Sequence, residues 1–99
     1  MNPLHTGQAV YDPRGVVEAE PRPIAPRAKS LAGLRLGVLD NTKWNGRRLL
    51  EKTVALLQAE APLAEVRYYK KESFSRNADP ALIGQIAREC EAVVTAIGD

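Results

Sequence analysis

The chain has 99 residues, fourteen Lys and Arg against twelve Asp and Glu for a net charge of +2, one cysteine and one histidine. That length holds one domain, and Cys90 and His5 alone can supply neither an internal disulfide nor a metal cluster to brace it. Acids dilute the basic pairs Arg47-Arg48 and Lys70-Lys71, so no field argues for nucleic acid; no apolar run nears the ~18 residues of a membrane span, and no basic-then-apolar leader marks a signal peptide.

The expected setting is the cytoplasm, with the cysteine reduced. Residues 1–30 carry five of the seven prolines (Pro3, Pro13, Pro21, Pro23, Pro26) and few large apolar residues. Proline lacks an N–H and blocks helix, so an extended or disordered N-terminal arm is expected there. Residues 10–15 (VYDPRG) favour a turn, and Tyr11 and Ile24 would be the anchors of an arm that wraps the sheet or a second subunit.

From Leu31 the pattern changes. Residues 34–39 (LRLGVL) predict the first strand, ending in the turn-forming pair Asp40-Asn41. Residues 45–60 then place Leu49, Leu50, Val54 and Leu57 at helical spacing, with Asn45 as candidate cap and Pro62 just beyond. Such a helix is about 24 Å long, enough to cross back over a sheet. Residues 64–69 (AEVRYY) alternate as an edge strand does, Val66 and Tyr68 on one face, Arg67 and Tyr69 on the other. After a polar loop over 70–78, Asp79-Pro80 predicts a helix start: the carboxylate accepts from free amides and proline's fixed φ suits the first turn. This helix is expected to bury Leu82, Ile83, Ile86, Ala87 and Cys90, the thiol serving as a small apolar filler rather than a nucleophile. Residues 92–99 (AVVTAIGD) read as a buried strand running into a Gly-Asp turn.

The order is βαβαβ, with crossovers long enough for parallel pairing. Right-handed crossovers with helices on opposite faces give an α/β fold of strand order 2-1-3, half of a doubly wound (Rossmann-like or flavodoxin-like) parallel sheet. The most apolar strand then lies at an edge, where unpaired backbone groups call for a further strand beside it. Ligands of such sheets bind beyond the carboxyl ends of the strands, at the point where the winding reverses. That point gathers Asp40, Asn41, Thr42 and Lys43 from the first strand with Gly98 and Asp99 from the third. Lys70 and the loop 73–77, with Ser75, form its rim. A carboxylate, an amide and an ammonium together can hold a polar substrate or an anion, although Asp-Asn after a strand is also a common turn. In DNTKWNG the glycine comes too late for a dinucleotide phosphate loop, so no nucleotide or other cofactor is expected, and the sequence has no Ser-His-Asp set and no metal-spaced cluster.

Residues 30–45 (SLAGLRLGVLDNTKWN), preceded by Ala25-Pro26-Arg27, and residues 88–99 (RECEAVVTAIGD) resemble the UGSC-like family. There the pattern LaGkriGlLDNgKpNa opens the first strand, KpsaSrpa follows the second, and DaVvtgiGD runs directly into Sec-Gly-Ser-Cys or Cys-Gly-Ser-Cys. The likeness spans most of residues 25–99, and Tyr11-Asp12-Pro13-Arg14-Gly15 is similar to the family's lDPtG leader. Trp44 replaces a smaller residue, and Arg76-Asn77 departs from Arg-Pro.

The resemblance implies that residues 31–99 are an incomplete UGSC-like domain, cut just before its motif. Selenocysteine is encoded by UGA, ordinarily a stop, and Asp99 matches the aspartate that precedes it. On this reading no catalytic residue is present: the nucleophile is expected directly after Asp99, and the chain alone is inactive. The full-length relative would be a thiol or selenol redox enzyme, or one that cleaves a bond in a small-molecule substrate after nucleophilic attack. Asp40, Asn41, Lys43, Ser75 and Gly98 would then orient the substrate, and Asp99 would influence the nucleophile's protonation. A C-terminal half or a homo-oligomer would complete the packing. Two alternatives stand beside this one: a non-catalytic module that pairs its edge strand with a partner's sheet, and a small enzyme using Asp40 and Lys43.

Overall fold

A computed structural model describes residues 7–16 and 18–98; His5 and Asp99 lie outside the described residues. The elements are β1 (Arg35–Asp40), α1 (Gly46–Glu60), β2 (Glu65–Lys70), α2 (Pro80–Glu89) and β3 (Ala92–Ala96). The strands make one parallel sheet in the order β2-β1-β3, as the sequence predicts, with Leu36 opposite both Val66 and Ala92.

Alternation along β1 decides which helix covers which face. Leu36 and Val38 point to one side, where with Leu34 they pack against Leu50 and Val54 of α1, ringed by Leu57, Leu63, Val66, Ala92, Val94 and Ala96. Gly37 points to the other side, where Cys90, at the end of α2, lies against it. The two helices therefore sit on opposite faces of the sheet. A Cβ on Gly37 would come within 3.0 Å of Cys90 Sγ and 3.3 Å of Val93 Cγ2, so this strand position needs glycine for close approach. Gly37→Ala is expected to cost about 1–3 kcal/mol in urea unfolding, as overpacking does. Adding Cys90→Ala should recover much of that loss, because the sulfur is the nearest neighbour.

Asp79 caps α2 as predicted: its Oδ1 accepts from the Ala81 amide at 2.9 Å, and Pro80 occupies the first turn. Asn45 stands at the cap position of α1 but makes no side-chain cap bond, because its backbone is left-handed (φ 65°). Two burial expectations also need correcting. Leu49, Ile83 and Ala87 are exposed, since the sheet takes only the inward stripe of each helix: Leu50 and Val54 in α1, and Leu82, Ile86 and Cys90, four residues apart, in α2. In β3, Val93 (46% exposed) and Thr95 face outward, uncovered because α2 packs on β1. Among the described residues no strand lies beside the outer edge of β3.

Residues 7–16 and 18–30 form no helix or strand and are exposed throughout. Tyr11 and Ile24, at 99% and 94% exposure, do not anchor on this chain's own sheet. The expected turn is visible locally, where Asp12 Oδ1 accepts from the Arg14 amide at 3.0 Å and the carboxylate pairs with the guanidinium. That pairing holds the Asp12 carboxyl below its usual range. Among the described residues no helix is long and apolar enough to cross a membrane.

Candidate functional site

Asp40 closes β1 on the face that α1 covers, and only 7% of it is exposed. The start of α1 fits against it: a Cβ on Gly46 would lie 3.5 Å from Asp40 Oδ1 and 3.6 Å from the Ala96 carbonyl. The Thr42 amide donates to Asp40 Oδ1 at 2.8 Å. This bond holds Thr42 at φ 68°, a left-handed conformation that a β-branched residue rarely adopts. Such a residue costs on the order of 1–3 kcal/mol and persists where its surroundings over-determine it, often at functional sites. Asn45 repeats the conformation three residues on.

Asn41 joins this loop to the far side of the cleft. Its backbone N–H donates to the Ala96 carbonyl (3.1 Å), its Nδ2 donates to the Ile97 carbonyl (2.6 Å), and its Oδ1 accepts from the Lys43 amide (3.3 Å). Within the strands, Thr95 Oγ1 donates to the Leu39 carbonyl at 2.7 Å. The tips of β1 and β3 are thus stitched together at the winding reversal, where the topology places a ligand crevice.

The predicted site residues separate on this frame. Asp40 stands opposite Ala96 in the ladder, and Asn41 bonds the Ala96 and Ile97 carbonyls. Lys43 is half-buried, its Nζ 5.6 Å from the centre of the Phe74 ring, and this cation–π contact brings the 73–77 loop to the rim. Ser75 is not brought to Asp40; its amide donates to Ser73 Oγ (3.2 Å), and the two hydroxyls are 2.8 Å apart. Gly98 is exposed, and Asp99 falls outside the described residues. Sequence reasoning missed Phe74, although the chain's one phenylalanine in an otherwise polar loop was a signal for it. Trp44, which the sequence showed only as a departure from the family pattern, is almost wholly exposed in the β1–α1 loop.

Charge around the cleft is arranged in pairs. Arg47, in the first turn of α1, lies over the Tyr68 ring at 4.2 Å and bonds Glu51 at 2.6 Å; the Glu51 hydrogen bond raises its pKa further. Tyr69 and Cys90 pair on the face of the sheet opposite α1, with hydroxyl and Sγ 3.4 Å apart. The phenol's pKa is pushed up to about 12, first by this hydrogen bond, and the sulfur is buried against Gly37, as a packing role requires. Glu91, bonded by the backbone and guanidinium of Arg35, is held below its usual pKa. Among the described residues no three His, Cys, Asp or Glu side chains come together in a way that could hold a metal ion.

The arrangement can therefore fix the Ala96 and Ile97 carbonyls near a buried carboxylate, with a cation at the rim. No curated protein and no solved structure matches the chain. The UGSC family model matches residues 9–99, so the likeness takes in the exposed arm as well as every strand and helix. On that match the chain belongs to the UGSC family.

Proposed function

We propose that the chain is the N-terminal part of a selenocysteine- or cysteine-dependent enzyme of the UGSC family and builds the wall against which its nucleophile is held. The observation that carries this reading is the Asn41 clasp on the Ile97 carbonyl, two residues before Asp99, after which the family resemblance places the Sec/Cys-Gly-Ser-Cys motif. A chalcogenolate there would attack a peroxide oxygen or a disulfide sulfur of a small-molecule substrate, and the alkoxide or thiolate would leave with the bonding pair. The second cysteine's thiolate would then attack the oxidised chalcogen, closing the bridge and releasing hydroxide or thiolate with its electron pair, so that the substrate takes up the two electrons. Lys43, steadied on Phe74, presents a cation at the rim that favours an anionic nucleophile or substrate. Asp40 holds the loop in shape through Thr42, and Ser75, Gly98 and Asp99 complete the substrate-binding set.

The uncovered outer edge of β3 favours a second reading, a non-catalytic module that adds this strand to a partner's sheet. The nucleotides after the Asp99 codon decide between the two. An in-frame UGA followed by codons for Gly-Ser-Cys is the expected result. A UAA or UAG there, with noncoding sequence beyond, overturns the enzymatic reading and leaves the module.

A further inference from the structure

We propose that the groove between the 71–79 loop and the first turns of α2 binds a small organic anion: a carboxylate or phosphate monoester that carries an apolar group. The groove encloses about 760 Å³, within the roughly 300–1,000 Å³ of small-molecule sites. Lys70 and Lys71 enter it from the carboxyl end of β2, Arg76 from the loop and Ile83 from α2.

Three cations there face two carboxylates, Glu72 and Asp79. Asp79 keeps its charge while its Oδ1 accepts from the Ala81 amide, so the lining carries a net charge of +1, three cations less two carboxylates. The Arg76 amide donates to the Ser73 carbonyl at 3.5 Å, and this turn sets Arg76 against the groove. Ile83, 54% exposed beside the inward stripe of α2, supplies apolar surface that a ligand's body would take out of water. Cations from β2 and the loop together with apolar surface from α2 select an anion with an apolar part over a bare inorganic ion.

This site is separate from the Asp40–Asn41 cleft, since Asp40, Asn41 and Lys43 do not line it. The two share one wall: the loop that lines the groove also carries Phe74, on which Lys43 rests. The proposal stands on the groove alone and does not depend on the nucleophile after Asp99.

The test is a titration of the isotope-labelled chain with phenyl phosphate, inorganic phosphate and phenol, followed by amide chemical shifts. Phenyl phosphate should shift amides of residues 71–83 and half-saturate at a concentration at least about fivefold below inorganic phosphate, with phenol inactive. The double variant Lys71→Ala, Arg76→Ala should lose both responses while its other amide resonances stay in place. Ile83→Ser should keep the response to inorganic phosphate and lose the preference for phenyl phosphate. Shifts centred on residues 40–43, a response that survives in the double variant, equal affinity for the two phosphates, or no saturable response below about 10 mM would each overturn the proposal.

Discussion

Replacing Leu50 with alanine is expected to abolish most of the chain's folding stability. Leu50 is 1% exposed and sits where α1 meets the middle of the sheet, against Leu36 and Val38. Leu→Ala at such a site removes about 2–5 kcal/mol, the transfer free energy of the lost atoms plus the cavity they leave. A packed unit of about seventy residues without disulfide or metal has a core worth only about 3–5 kcal/mol in total. The substitution is therefore comparable with the whole margin, and the variant should lose its cooperative urea transition and its dispersed amide spectrum. Leu56, on the same helix but 73% exposed, gives the control: Leu56→Ala should change stability by less than about 0.5 kcal/mol. Equal effects at the two positions would mean that α1 does not pack on the sheet by the Leu50–Val54 stripe.

That stripe was visible in the sequence; its width was not. Period-3.6 spacing marked Leu49, Leu50, Val54 and Leu57 together, but whether a flanking residue is buried depends on how far the neighbouring layer extends. Here the sheet is three strands wide, so Leu49, Ile83 and Ala87 overhang it. Strand order was legible because long crossovers and right-handed connections leave few topologies to choose from. Asn45 shows a different limit. Asparagine is favoured both as a helix cap and in left-handed backbone, and composition alone cannot say which tendency acts; here the left-handed one does.

The site was legible to the extent that topology places strand tips. Asp40 and Asn41 sit at the end of the central strand, and parallel pairing with β3 carries the Ile97 carbonyl to them. Thr42 was opaque, because a β-branched residue argues against the conformation it adopts, which is held by its amide's bond to Asp40 and its hydroxyl's bond to the Asn41 carbonyl. Ser75 stays on the loop that the sequence places at the rim, and the bond between the Ser73 and Ser75 hydroxyls that shapes this loop has no periodic signature. The Lys43–Phe74 contact joins residues on different loops, which no local pattern encodes.

Asn41→Ala is expected to free the segment after β3 while leaving the sheet intact. The backbone N–H of residue 41 still donates to the Ala96 carbonyl, so pairing of β1 with β3 survives; what goes is the side-chain bond to Ile97 and the one from Lys43. Losing such a bond and leaving its partner unmatched costs about 1–3 kcal/mol, locally enough to raise the open population by roughly five- to thirtyfold or more. Backbone relaxation should show it: order parameters at Ile97 and Gly98 falling below about 0.6 while Val38 and Val94 stay near 0.85. Asn41→Asp separates the two bonds, since it keeps an acceptor for the Lys43 amide but has no donor for Ile97, and it should loosen Ile97 just as the alanine does. If the proposed nucleophile follows Asp99, displacement of that atom by about 1 Å would lower turnover on the order of a hundredfold with KM little changed. Unchanged order at Ile97 with raised mobility throughout β1 would instead make Asn41 a support of the sheet, and the nucleophile's placement would then have to come from residues beyond the Asn41 side chain.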